Sequence, residues 1–387
     1  MHPASICAWD WPDAGRVELF SVLDSHLSGG ALLKIGTRRP DHDGACVSRM
    51  IRIAALFVFF PFSLLSFAAG QPGSLRIYFI DVEGGQATLF VSPAGQSLLI
   101  DAGWPDSNAR DAARIVGAAK TAGIAQIDYL LVTHYHDDHV GGVPQLAERM
   151  KIVTFVDHGP NREDSDDTRK NYAAYKQVVK NAKHLVVKPG DRIPIEGMDV
   201  EVVSADGSVI HTALPAGGEP NAVCNSEPAP AEDPTENARS LGVLITYGKL
   251  RILDLGDLTK KGELALVCPV NLLGPVDLFV VSHHGWSQSN SKAFVDAIRP
   301  RVAIMDNGAK KGGSPDVWTV LRGTPGLVDL WQLHYSIEGG REHNVAADYI
   351  ANSDEKCQGI RIDVTANADG EITVTNQRNG FNKTYGK

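Results

Sequence analysis

The sequence predicts an α/β protein in four layers, an αββα sandwich in which two sheets pack face to face and helices cover both outer faces. Three observations predict it: strand-like apolar runs crowd the start, strands and helical periods then alternate, and strands return near the end. At 387 residues and 43% hydrophobic content, the chain is long enough for one large core or two modest ones. Its net charge of −9, with no Lys/Arg cluster longer than two residues, gives no pull toward phosphate polymers. Long nucleic acids are therefore not expected as partners, and the oligomeric state stays open.

Ahead of the first strand, Arg49-Met50-Ile51-Arg52 leads into a nearly unbroken apolar stretch, residues 53–67, and then Ala68-Ala69-Gly70. A short basic start, an apolar stretch too short for an ordinary membrane span and a small-residue exit describe a secretory signal peptide over 50–70. Pro61 argues against the alternative, an uncleaved anchor. Met50 then reads as the start of the natural protein, and residues 1–49, which lack sustained periodicity, as an upstream extension outside it. The mature chain, 71–387, is expected to be periplasmic or secreted, with no stable membrane span after signal cleavage. Setting Cys7 and Cys46 aside leaves Cys224, Cys268 and Cys357. In an oxidising compartment three cysteines permit one disulfide, and their spacing does not choose the pair.

In chain order, apolar runs at 75–82, 87–91 and 97–100 are separated by Gly84-Gly85 and Pro93-Ala94-Gly95, which makes three strands joined by turns. Ala109, Ala112, Ala113 and Val116 recur at helical spacing behind the capping candidate Ser107. A strand at 128–132 follows. Then come a short helix near 143–150, a strand at 152–156 and a helix over 167–183 with Tyr172, Tyr175, Val179 and Ala182 inward. A hairpin is expected between 193 and 203, and the Pro-, Ala- and Glu-rich residues 212–238 read as a long flexible loop or flap. The second half repeats the scheme, with strands at 241–246, 251–255, 277–281 and 302–305 and helices near 260–267 and 291–298. Strands at 360–364 and 371–374 close the chain, and no internal repeat supports a solenoid.

The chemistry gathers on the segment leaving the strand at 128–132, His134-Tyr135-His136-Asp137-Asp138-His139. Three histidines and two aspartates in six residues make a costly cluster unless something cationic holds them; the plain alternative is an exposed polar loop with incidental histidines. In an extended loop His134 and His136 point to the same side and can share one metal, while Asp138 and His139 turn toward a second. Imidazole nitrogens suit zinc, and carboxylates help hold a hard or borderline ion. Two divalent cations are expected, zinc first, with manganese or iron as alternatives.

This run, preceded by Leu130-Leu131-Val132-Thr133 and followed by Val140-Gly141-Gly142, resembles the HxHxDH signature of the metallo-β-lactamase superfamily. Further landmarks stand in order: Ile100-Asp101-Ala102-Gly103 before it, Leu255-Gly256-Asp257-Leu258 after it, and Ser282-His283-His284-Gly285 later still. The resemblance covers roughly residues 75 to 306 and implies the four-layer fold of that superfamily. It implies Asp257 as the carboxylate bridging both metals and His284 as completing the second site; His283 is its catalytic or substrate-binding neighbour, and the two could exchange roles. For the third ligand of the first metal, His158 is chosen over His184 and His211, because it closes the strand at 152–156 ahead of Gly159-Pro160, on the rim of the signature. Asp81 and Asp101 end strands just before small residues, where each could orient a metal-bound imidazole; backbone capping is the other reading of Asp81.

Phe79-Ile80-Asp81-Val82, Ser240-Leu241, Asp254-Leu255-Gly256-Asp257 and Ser282-His283-His284-Gly285 narrow the similarity to the hydrolase domain of the ComEC competence proteins and its stand-alone exported relatives. There the first turn reads Gly-Gln-Gly-Asp, whereas here it reads Glu83-Gly84-Gly85-Gln86. The expected mechanism is hydrolysis by a metal-activated water, with Asp138 orienting the nucleophile while acting as a ligand. The expected substrate is a phosphoester, either a small molecule or a short oligonucleotide. A β-lactamase or lactonase is the enzymatic alternative, and a non-catalytic metal-binding module the alternative from another class. Lys310-Lys311-Gly312-Gly313, His334 and His343 are the candidates for gripping substrate at the rim.

Overall fold

In the computed structural model, neighbouring residues of one strand enter different cores: Leu98 and Ile100 face the space between the two sheets, and Leu99 faces the helices outside. Strands covered on both sides need apolar residues at consecutive positions, which is why they appear in the sequence as unbroken runs. The structure describes residues 73–105, 108–354 and 358–387. The expected signal peptide over 50–70, the upstream residues 1–49, Ser107 and Cys357 lie outside the described residues.

The first sheet opens with β1 (Leu75–Phe79), β2 (Thr88–Val91) and β3 (Ser97–Ile100), joined antiparallel. Helix α1 (Arg110–Ala122) leads to β4 (Gln126–Leu131), parallel to β3. The short α2 (Asp137–Val140) and α3 (Val143–Ala147) precede β5 (Lys151–Asp157), and α4 (Asp166–Val179) precedes β6 (Lys183–Val186). Both strands continue the parallel series. The chain then enters the second sheet through β7 (Arg192–Ile193), β8 (Asp199–Ala205) and β9 (Ser208–Val209), and leaves it for β10 (Glu219–Pro220).

The hairpin of β11 (Gly242–Tyr247) and β12 (Leu250–Asp254) returns to the second sheet. After α5 (Lys260–Val267) comes β13 (Val270–Asn271), which pairs with β10. A parallel series follows: β14 (Leu278–Val280), α6 (Lys292–Ile298), β15 (Val302–Met305), α7 (Pro315–Gly323), β16 (Asp329–His334) and β17 (Ile350–Asn352). Finally β18 (Ile362–Ala366), β19 (Ile372–Asn376) and β20 (Asn382–Tyr385) cross back and extend the first sheet from β1. The strand orders are β20-β19-β18-β1-β2-β3-β4-β5-β6 and β17-β16-β15-β14-β12-β11-β8-β7, with β9 on β8.

Three cores define the αββα sandwich. Ile77, Phe90, Val156, Val243, Ile252, Ile304 and Trp331 meet between the sheets. Ile115, Ala119 and Tyr175 seal α1 and α4 onto the first sheet, and Leu266, Phe294 and Leu321 seal α5, α6 and α7 onto the second. Among the described residues no helix is long and apolar enough to cross a membrane.

Several element boundaries differ from expectation for identifiable reasons. Helix α4 stops at Val179, not 183, because Lys183–Val186 pairs with β5; Ala182 and Tyr172 are half-buried. Ala113 is exposed, and α1 starts after Ala109, whose φ of 53° makes the turn without a side-chain cap. The segment 212–238 is largely irregular but tied down at several points, among them β10 on β13, a disulfide between Cys224 and Cys268, and Glu227, which accepts from Ala293 N–H. The parallel strands of both sheets end along one edge, and ligand sites form beyond such carboxyl ends.

Candidate metal centre

The signature segment splits its donors through a change of backbone. His134-Tyr135-His136 leaves β4 extended, so His134 and His136 share a side, while Tyr135 turns the other way into the outer core against Tyr172, Tyr175 and His158. His136 then caps α2, and this single helical turn, not a loop as expected, swings Asp138 and His139 toward a second position. Gly85 must be glycine here, because a Cβ would lie 2.3 Å from the Asp138 carbonyl oxygen.

His134 Nε2 lies 3.0 Å from His136 Nδ1. Asp138, His139, Asp257 and His284 form a second, buried group whose donor atoms all lie within 4.8 Å of one another. Within it His139 Nε2 is 3.2 Å from His284 Nε2, Asp138 Oδ2 and Asp257 Oδ1, and His284 Nε2 is 3.1 Å from Asp138 Oδ2 and 3.4 Å from Asp257 Oδ1. Asp257 stands between the two groups, its Oδ2 lying 4.0 Å from His134 Nε2.

These residues fit a divalent cation. Four donors placed tetrahedrally at about 2.0–2.1 Å from zinc are about 3.3 Å apart, close to the separations seen. Asp257 Oδ1 is buried without a hydrogen bond, a lone pair aimed into the group. The electrostatics demand positive charge: burial opposes protonation of His139 and His284, yet Asp257 and the neighbouring carboxylates hold His139 well above the usual imidazole range and push His284 up to about 10. His134, where burial and the adjacent imidazoles prevail, is held well below that range.

His283 and His284 occupy consecutive left-handed positions, φ 55° and 54°, which aim the two rings in different directions. Residues outside glycine visit this region at a cost, so the surroundings must fix it. They do so through His283 N–H to Gly256 O (3.0 Å) and Gly313 N–H to His284 O (2.9 Å). Gly312, at φ 74°, leaves room that a Cβ would take 2.1 Å from His284 O. His284 joins the metal group, whereas His283 Nε2 faces Asp257 Oδ2 at 3.4 Å. Its Nδ1 is 3.3 Å from Ser289 Oγ, which donates to Leu258 O; a proton on Nδ1 leaves Nε2 with its lone pair. Burial brings His283 down to about 4, so it is neutral at pH 7.

Asp101 supports His139 as the strand-end reading expected: its Oδ2 lies 2.7 Å from His139 Nδ1, and it accepts from Thr133 N (2.8 Å) and Thr133 Oγ1 (2.7 Å). Asp81 follows the second of its two readings, backbone capping. It binds His334 Nε2 (2.7 Å) and caps Glu83 N (2.8 Å), a bond between the ends of β1 and β16 that orients none of the candidate ligands. His334 is thereby structural. His158 packs against Tyr135, which turns away from His134 and His136, and its Nε2 lies 3.1 Å from Glu236 Oε2. His343 packs its ring on Trp318, and Lys310 is exposed. Lys311, by contrast, reaches the Asp138 carboxylate.

Residues that sequence reasoning missed complete the shell. Glu163 Oε2 lies 2.9 Å from His136 Nε2, and that bond brings its carboxyl down to about 2. Asp306 Oδ1 faces His284 Nδ1 at 3.3 Å. Gln86, where the resembled family has aspartate, donates from Nε2 to the buried Asp254 at 2.7 Å. Asp306 ends β15 as Asp101 ends β3, so the strand-end pattern could have found it; Glu163 carries no local signal, and Gln86 stood out only as a departure from the resembled turn.

The sequence profile described as "Metallo-beta-lactamase superfamily" matches residues 80–219. Recombination protein 2 of Haemophilus influenzae is 24% identical over 249 residues, covering 64% of this chain and 26% of that protein. ComE operon protein 3 of Bacillus subtilis is 26% identical over 188 residues, 48% of this chain and 20% of that protein. A metal-dependent hydrolase of Cupriavidus taiwanensis is 26% identical over 244 residues, 61% of this chain and 76% of that protein. The chain thus spans about a quarter or less of the length of the first two relatives.

Proposed function

This chain carries a metallo-β-lactamase superfamily domain of the ComEC-like kind, and from that premise we propose that it is an exported hydrolase that cleaves a phosphoester, either a small molecule or a short oligonucleotide. The observation that carries the hydrolase reading is Asp257, whose one carboxylate addresses both groups of donors, Oδ1 toward His139 and His284 and Oδ2 toward His134. His134 and His136 would hold one cation and Asp138, His139 and His284 the other, with Asp257 shared and zinc favoured over manganese or iron. When bound, such a pair supplies an acidified water and a Lewis acid for the oxygen of the scissile bond.

The remaining work falls to the protein. Asp101 fixes the His139 ring with Nδ1 as the proton-bearing atom and Nε2 free to ligate. Glu163 fixes His136 in the reverse sense, Nε2 toward the carboxylate and Nδ1 toward the partner imidazole. His283, neutral and with Nε2 beside Asp257, is the group placed to take a proton from the nucleophile or return one to the leaving oxygen. The ammonium of Lys311 at the rim favours an anionic substrate over a neutral lactone. The disulfide between Cys224 and Cys268 supports export, since such bonds persist in oxidising compartments.

The test is metal content of the purified protein, followed by turnover of a generic phosphodiester, a phosphomonoester, a lactone and a cephalosporin. Phosphoester cleavage that needs the metal is expected. Cleavage of only the lactone or cephalosporin would replace this reading with the carbonyl-directed alternative, and metal binding without any turnover would favour the binding module.

A further inference from the structure

On the phosphoester reading, the geometry points to a substrate clamp at the mouth of the centre, in which Lys311 and Trp286, braced by Trp104, select a phosphoester bearing a planar aromatic group. Lys311 Nζ lies 4.9 Å from the centroid of the Trp104 ring and 5.8 Å from that of Trp286. Trp104 follows the end of β3 in the first sheet, and Trp286 follows the His283-His284 turn in the second, so the ammonium sits where the two sheets meet. Two indole faces hold a cation without neutralising it. Asp138, which Lys311 touches, also serves His139 and His284; a cation held by those three would draw on the same carboxylate, and the ammonium, with 20% of its side chain exposed, would keep charge to spare. A compact ammonium is a natural partner for phosphoryl oxygen.

Trp286 supplies the second half of the argument. It is one of four large apolar side chains exposed among the described residues, at 38%, yet it stands edge-on to His283 with ring centroids 5.4 Å apart. An indole that is wet on one side and seated against the candidate proton carrier on the other offers a stacking surface one ring away from the reacting centre. The loop carrying Lys311 is bonded to this same turn, Gly313 N–H to His284 O (2.9 Å) and Ser314 N–H to Gly285 O (3.0 Å), so the lysine and the tryptophan are held in fixed relation.

The test is equilibrium binding of phenylphosphonate and methylphosphonate to the full metal-loaded chain by titration calorimetry, with metal content measured in each variant. The wild type should bind phenylphosphonate about tenfold tighter, the scale of one aromatic stack. W286A should bring that ratio to about one. K311Q should weaken both ligands by a similar factor of about ten, with K311R recovering most of the loss and metal content unchanged throughout. Survival of the phenyl preference in W286A, wild-type binding by K311Q, or loss of metal from K311Q would each overturn the clamp, the last by assigning Lys311 to holding Asp138. Failure of the phosphoester reading looks different: lactone or cephalosporin turnover without phosphoester turnover, whatever the phosphonate ratio.

Discussion

His139 has both ring nitrogens committed, Nε2 to the metal group and Nδ1 to Asp101. A carboxylate behind a ligating imidazole sets its tautomer and raises its basicity, so D101N should weaken metal affinity about 10–100-fold while leaving the fold intact; competition with a chromogenic chelator measures it. H136A removes a donor outright and should abolish turnover with little change in circular dichroism, whereas undiminished activity would refute the site. At this scale the sequence was most legible where the donors are consecutive. His134, His136, Asp138 and His139 stand out because so many possible donors crowd six residues, although the helical turn that divides them was not expected. His158 misled because a strand-end histidine looks the same whether a metal or Glu236 faces it, and Glu236 arrives from 78 positions away.

Helix α5 shows how an element away from the metals steadies them. Glu263 is buried on it and accepts from the backbone N–H of Asn290 (2.8 Å) and Ser291 (3.1 Å), and Asn290 in turn donates to Ser282 O (2.8 Å) beside the strained histidine pair. Burial outweighs those bonds and raises the Glu263 carboxyl from 4.5 to about 7. The folded chain therefore holds this proton more tightly than the unfolded chain, and its contribution to stability is complete below about pH 4.5 and lost as pH rises through about 7. Melting temperatures between pH 5 and 8 should fall more steeply for wild type than for E263Q; parallel curves would remove Glu263 from the account. The disulfide closes a sequence separation of 44, worth about 4 kcal/mol in the chain-entropy model. Replacing both Cys224 and Cys268 by serine should lower the melting temperature by several degrees, read by calorimetry. Strands such as β3 and β15 were legible before 306 because, covered on both sides, they are buried at every position, whereas the start of the half-exposed β6 fell in the expected helix. Beyond 306, α7 buries only Val317 and Leu321, and β16 carries a buried Gln332 satisfied by Asn344 and the Val345 N–H, so tertiary contacts rather than pattern specify them.

At the scale of the molecule, four layers were predictable from the order of elements, but the meeting of β18 with β1 was not, since it joins segments nearly 300 residues apart. Chelation with EDTA should abolish turnover and lower the melting temperature, because cations that bind only the folded chain add about 2.7 kcal/mol at a hundredfold excess over Kd. Re-addition of zinc or manganese should restore both, and an unchanged melting curve would mean that the donors hold nothing. The bridging position of Asp257 carries a kinetic corollary. His134, His136 and His139 ride on one sheet while Asp257 and His284 ride on the other, so an ion held at either position would tie the two sheets together. Parting of the layers is then one route to its release, and isotopic zinc exchange should quicken as urea separates the sandwich.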